Sequence, residues 1–149
     1  MDHNKNLIYI VDDDPDDRQI ILDAFLEHTN MLDYVFLQDG KELLDTLQSS
    51  DGNDYPSLII LDLNMPGMLG LQVLKEIRSN ARYSHIPIIV MTTSELHTDR
   101  KHSYELGANC FLTKPKSYSE LLKLTQSIAT IWLDDEVTKP AAKEDTIKV

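Results

Sequence analysis

Three aspartates beside apolar runs carry the chemistry open to this sequence. Asp12 and Asp13 follow the run Leu7 to Val11, and Asp62 falls near the end of the run Leu58 to Leu63. Carboxylates brought into one cleft repel one another unless a cation is shared, and hard oxygen ligands of this kind suit Mg²⁺. A Mg²⁺ site built from few carboxylates keeps open positions for water and for a phosphoryl oxygen, and leaves one carboxylate free to act as a nucleophile. Thr92, just after the run Ile86 to Met91, adds a hydroxyl donor, and Lys114, just after Asn109 to Leu112, adds a positive point charge. Those are the two kinds of group that neutralise the oxygens of a transferred phosphoryl group.

These residues are scattered over about a hundred positions, so the fold must gather them. The four runs named above, with Tyr34 to Leu37, recur every roughly 20 to 30 residues and alternate with amphipathic segments, the spacing of strand and helix alternation. They are rich in Ile, Val and Leu at consecutive positions, as strands covered on both faces require. That pattern predicts a parallel sheet between two helical layers, in which strand ends share one edge and ligands collect outside the carboxyl ends.

The first helix opens with Asp14 as N-cap and Pro15 at its first position, followed by Ile20, Ile21, Ala24 and Phe25 at helical spacing. Asp14 is a cap rather than a third ligand, and Asp16 and Asp17 favour the first turn through the macrodipole, with no metal role. Leu43, Leu44 and Leu47 mark the second helix, and Leu71, Val73, Leu74 and Ile77 the third. The last opens near Ser117 or Ser119 and carries Leu121, Leu122, Leu124, Ile128, Ile131 and Trp132 as core candidates. The fourth, roughly Leu96 to Leu106, has only Leu96, Tyr104 and Leu106 as apolar positions, so it is expected to be the most loosely packed. After Asp134 the periodicity stops, which divides the chain into a domain over 1–133 and a mixed-charge tail over 134–149.

Composition narrows the function classes. At 149 residues and 42% hydrophobic, the chain suits one domain that buries a core without disulfides, and its single Cys110 reads as an inert buried thiol. Fourteen basic against 25 acidic residues give a net charge of −11, which repels nucleic acid and anionic membranes. No apolar stretch reaches the length of a membrane span, and the five apolar positions after the N-terminal Met1 to Asn6 are too few for a signal peptide, so a cytoplasmic location is expected. The five histidines lack metal-ligand spacing and read as solvated.

Four motifs occur in order: Ile10-Val11-Asp12-Asp13-Asp14, Leu61-Asp62-Leu63-Asn64-Met65-Pro66-Gly67, Val90-Met91-Thr92-Thr93-Ser94 and Phe111-Leu112-Thr113-Lys114-Pro115. With them the chain resembles a response-regulator receiver domain of two-component signalling from about Leu7 to Leu133. The resemblance implies a flavodoxin-like (βα)5 fold with strand order 2-1-3-4-5. It also implies Asp62 as phosphoacceptor, Asp12 and Asp13 as the acidic pair that holds Mg²⁺ with Asp62, and the Asn64 backbone carbonyl as a further ligand. Thr92 becomes the switch hydroxyl, Lys114 the phosphate-binding lysine, and Phe111 either plain core or the aromatic that follows Thr92. A cis peptide at Lys114-Pro115 and self-dephosphorylation past Asn64 and Ser94 are further family expectations.

No effector domain is recognisable after the receiver, so output is expected through a downstream protein or a phosphorelay. The wording Asp13-Asp14-Pro15-Asp16-Asp17 and Ile131-Trp132-Leu133 is similar to single-domain regulators that pair with bacterial phytochrome-type sensor histidine kinases, and implies a homodimer through the last helix and tail. Leu69, where many receivers carry an acidic residue, bears on kinase preference. Three alternatives are disfavoured. A mononucleotide binder needs a phosphate loop that three aspartates would spoil. A Mg²⁺-dependent phosphohydrolase needs enclosing loops that are absent. An unphosphorylated scaffold need not keep the whole chemical set.

Overall fold

A computed structural model describes residues 6–29 and 31–133. The elements alternate as β1 (Asn6–Val11), α1 (Pro15–Leu26), β2 (Leu32–Leu37), α2 (Gly40–Ser49), β3 (Leu58–Leu61), α3 (Gly70–Arg78), β4 (Ile88–Thr92), α4 (His97–Glu105), β5 (Cys110–Thr113) and α5 (Tyr118–Trp132). The strands form one sheet in the order β2-β1-β3-β4-β5, with every pairing parallel. This is the expected flavodoxin-like arrangement, and its strand order reverses direction beside β1, where β3 flanks the other side.

Side-chain alternation along each central strand feeds two separate cores. Tyr9, Val11, Ile59, Leu61, Ile88 and Val90 face one layer, with Leu43 and Leu47 of α2 and Val73, Leu74 and Ile77 of α3. Ile8, Ile10, Leu58, Ile60, Ile89 and Met91 face the other, with Ile21, Leu22 and Phe25 of α1 and Leu121 and Ile128 of α5. This two-sided burial is why these strands read as continuous apolar runs.

The caps follow the sequence. The Asp14 carboxylate accepts from the Asp16 and Asp17 backbone N–H groups with Pro15 at the first helical position, Asp39 caps α2 through Glu42, and Ser117 caps α5 through Glu120. In α4 only Ser103 is buried, while Leu96 and Tyr104 are exposed, so the thin packing expected of this helix is present.

Several details differ from the sequence reading. The edge strand β2 begins two residues early, at Leu32, because its half-exposed positions and Asp33 dilute the apolar signal. β3 stops at Leu61 and β4 starts after Pro87, which has no N–H for a ladder. His28 is not free in solvent: its Nε2–H donates to the Leu122 carbonyl at 2.8 Å, tying the end of α1 to α5. Ile20 and Ile131 are exposed, and Cys110 is half-buried. No peptide bond among the described residues is cis, so the expected cis Lys114-Pro115 is corrected. The strand hydrogen bond from the Lys114 N–H to the Thr92 carbonyl, 2.7 Å, already carries the lysine to the sheet edge. No helix among the described residues is long and apolar enough to cross a membrane. The tail, 134–149, lies outside the described residues.

Candidate functional site

The carboxyl ends of β1, β3, β4 and β5 converge on one cleft. Asp12 leaves β1 with its N–H bonded to the Leu37 carbonyl, and Asp62 leaves β3 with its N–H bonded to the Val11 carbonyl, both at 3.0 Å. Each strand therefore continues its ladder by one residue and delivers a buried carboxylate at the edge. Asp13, which is exposed, joins them: one carboxylate oxygen from each of Asp12, Asp13 and Asp62 lies within 4.8 Å of the others. Glycine is required at position 70, because a Cβ there would lie 2.6 Å from both the Asp62 carbonyl oxygen and the Leu63 Cα. The start of α3 is thereby pressed against the backbone that carries Asp62.

Lys114 reaches in from the end of β5. Its Nζ donates to Asp12 Oδ2 at 2.7 Å, Asp17 Oδ2 at 2.8 Å and Asp62 Oδ2 at 3.3 Å, so all three ammonium protons have a carboxylate. Burial pushes the Asp12 carboxyl above its ordinary value, opposed by the Lys114 hydrogen bond and by the Asp14 N–H at 3.0 Å. Burial alone would lower the Lys114 pKa, but hydrogen bonds to Asp12 and Asp17 and the charges of Asp62 and Asp12 outweigh it and raise it, so the ammonium persists. Four carboxylates against one ammonium leave the cleft strongly negative. Hard oxygen donors, close spacing and excess negative charge fit a Mg²⁺ ion on Asp12, Asp13 and Asp62.

Residues 8–126 match the family model described as the response regulator receiver domain. The chain belongs to this family. It is 37% identical over 139 residues to response regulator Rcp1 of Synechocystis sp., covering 91% of this chain and 94% of that protein. A crystal structure of the Mn²⁺-bound form of Rcp1 superposes with a TM-score of 0.78 at 34% identity, over 90% of this chain and 99% of the other. The phosphorylated cyanobacterial phytochrome response regulator RcpA gives a TM-score of 0.81 at 33% identity, over 90% and 98%.

The rest of this receiver's cleft lies toward α4. Thr92, fully buried, accepts through Oγ1 from Asn64 Nδ2 and from the Ser94 N–H, both at 3.3 Å, and the Asn64 N–H reaches Asp62 Oδ1 at 3.3 Å. The Ser94 hydroxyl donates to Asp99 Oδ2 at 2.5 Å and accepts from the Leu96 N–H. Phe111 is buried; its N–H donates to the Tyr104 hydroxyl at 3.0 Å, and the Arg100 guanidinium lies over both rings, 5.8 Å from Phe111 and 5.7 Å from Tyr104.

All the sequence candidates thus reach the cleft or its flank, and four further contributors, Asp17, Asp99, Arg100 and Tyr104, join them. Asp17 reads from the sequence only as a helix-dipole residue and Tyr104 only as an apolar position of the fourth helix, while Asp99 and Arg100 carry no sequence signal. A signal for Asp17 existed: a helix that opens at Pro15, right after Asp12 and Asp13, must place its first turn at the same sheet edge.

Proposed function

We propose that this receiver accepts a phosphoryl group on Asp62 from the phosphohistidine of a sensor kinase and uses it to switch protein partners. The observation that carries the reading is the buried Asp62 carboxylate, grouped with Asp12 and Asp13 and 3.3 Å from the Lys114 ammonium. An Asp62 oxygen attacks phosphorus in line, an O–P bond forms, and the P–N bond of the donor breaks with its electron pair going to the imidazole. The product is an aspartyl phosphate. Asp12, Asp13, Asp62 and the Asn64 carbonyl would hold a Mg²⁺ ion, which would supply charge neutralisation on the phosphoryl oxygens. Lys114 neutralises another oxygen, and the Thr92 hydroxyl turns to donate to the new dianion.

Moving Thr92 takes the shared acceptor from Asn64 and from the Ser94 N–H, and so disturbs the loop that leads into α4. Phe111, linked to α4 by Tyr104 and Arg100, follows, and the thinly packed α4 shifts with β5 and α5. Phosphorylation shifts a pre-existing equilibrium by its differential interaction with the two arrangements. Self-dephosphorylation is slow, because Asn64 and Ser94 flank the water path and neither is a strong base. This is signalling chemistry on the protein itself, without turnover of a small substrate.

The likeness to Rcp1 and to the phytochrome response regulator RcpA supports a single-domain regulator with a phytochrome-type kinase as donor, and we assign it to the cytoplasm. We assign 1–133 to the receiver and 134–149 to the tail. Homodimerisation through α5 and the tail is consistent with Ile131, 68% exposed on α5. Relay of the phosphoryl group onward, or action as an unphosphorylated scaffold, would be separated from partner switching by phosphoryl chase and by partner capture with Asp62→Asn. The primary test is incubation with acetyl phosphate and Mg²⁺, read by intact mass. Labelling lost in Asp62→Asn and with a chelator is expected; labelling that survives Asp62→Asn overturns the assignment.

A further inference from the structure

The Lys114 ammonium is saturated by three carboxylates, yet only two of them, Asp12 and Asp62, belong to the cluster that fits a metal. The third, Asp17, comes from the first turn of α1 and bonds the ammonium at 2.8 Å, closer than Asp62 at 3.3 Å. Asp17 is also the most exposed of the three, its side chain 40% accessible against 3% for Asp12 and 6% for Asp62. We propose that Asp17 is a positioning residue that draws the Lys114 ammonium toward α1 and competes for it with a phosphoryl group on Asp62. The inference rests on Asp62 being the phosphoacceptor.

The geometry supplies the motive. An ammonium has three protons; the bond to Asp62, the longest of the three, passes to the phosphoryl group that Asp62 acquires, and drawing the ammonium further onto that group requires Asp12 or Asp17 to loosen. Asp12 is buried and has no water to replace the ammonium, whereas Asp17, 40% exposed, can turn to water. A cavity of about 60 Å³ with Asp17, Ile20, Ile21, Lys114 and Leu121 in its lining adjoins the pair, so the Asp17 side chain borders open space on the α1 side. Asp17 thus competes with the phosphoryl group for one cation, and removing it favours the phosphorylated arrangement. A partly exposed ion pair is weak, so the expected gain is about two- to fivefold.

The test uses the full chain with Asp17→Asn, Asp17→Glu and Asp16→Asn. Asp16 is the neighbouring exposed acid of the same turn, has the same charge and macrodipole relation, and has no bond to Lys114, so Asp16→Asn controls for charge alone. Two readouts are taken: the rate of phosphoryl uptake from acetyl phosphate, and the affinity for fluoroberyllate, a phosphoryl mimic, by fluorine NMR. Asp17→Asn is expected to raise both about two- to fivefold, Asp17→Glu to restore wild-type values, and Asp16→Asn to leave them unchanged. Unchanged or lowered values in Asp17→Asn, or an equal rise in Asp16→Asn, overturn the proposal while wild type still labels on Asp62. Wild type that neither labels nor binds fluoroberyllate removes the phosphoacceptor reading itself, and this inference with it.

Discussion

Replacing Lys114 by methionine keeps the length of the stem and deletes the cation on which three carboxylates converge. The contributions to the cost are unequal. The pair with Asp17, 40% exposed, is worth about 0.5 kcal/mol. The pairs with Asp12 and Asp62, whose side chains are 3% and 6% exposed, are buried, and deleting one partner of a buried pair costs roughly 3 to 5 kcal/mol. Two features bring the figure toward the lower end. Lys114 is itself 14% exposed at the cleft mouth, and Asp12 keeps the Asp14 N–H and can take up a proton. The expected loss is about 3 kcal/mol at neutral pH without Mg²⁺, or about 1.5 M in the urea midpoint at a denaturant slope of about 2 kcal/mol/M. Lys114→Met should also gain more stability from Mg²⁺ than wild type gains, since the ion then relieves an uncompensated cluster. Urea unfolding followed by Trp132 fluorescence, with and without Mg²⁺, measures both effects. A variant as stable as wild type in the absence of Mg²⁺ would refute the claim that Lys114 neutralises buried carboxylates.

Three further outcomes are expected. Because burial raises the folded pKa of Asp12 above its unfolded value of 3.8, the native state binds the extra proton between the two, so the Asp12 contribution favours the fold below that window and is lost as pH rises through it. Without Mg²⁺, Asp12→Asn should therefore flatten the pH dependence of stability and be more stable than wild type at neutral pH, while binding Mg²⁺ far more weakly; urea titrations across pH and calorimetry check this. Gly70→Ala, whose new Cβ meets backbone at 2.6 Å, should cost about 1 to 3 kcal/mol in thermal or urea unfolding and slow phosphoryl uptake by displacing Asp62. Tyr104→Phe removes the acceptor of the Phe111 N–H and should cost about 1 kcal/mol, with the Phe111 ring resonances broadened in NMR spectra.

The parts of this receiver that were legible in the sequence are those in which one physical demand fixes residue type. β1, β3 and β4 are covered on both faces, so their positions had to be apolar, and the run from Leu7 to Val11 is visible without any alignment. Asp14-Pro15 announced α1 because the cap and the fixed proline φ serve the same helix start. β2 was only partly visible because an edge strand is buried on fewer sides. Within the site, Asp12, Asp62, Thr92 and Lys114 stood out because polar residues directly after apolar strands have no packing explanation. Asp17 did not, because an acid in the first turn of a helix already has one, and its bond to Lys114 spans 97 positions of sequence. The Tyr104 and Arg100 contacts to Phe111 were hidden for a related reason: α4 is mostly exposed, so its few structural side chains leave no periodic trace.

The central claim, that Asp62 rather than a neighbouring carboxylate takes the phosphoryl group, is tested most directly by trapping the acyl phosphate. The protein is phosphorylated with acetyl phosphate and Mg²⁺, reduced with borohydride, digested and sequenced by mass spectrometry, since reduction of an aspartyl phosphate leaves homoserine at the modified position. Homoserine at position 62 alone is the expected result. Homoserine at position 12, 13 or 17 with position 62 intact, or none in a folded sample that binds Mg²⁺, would contradict it.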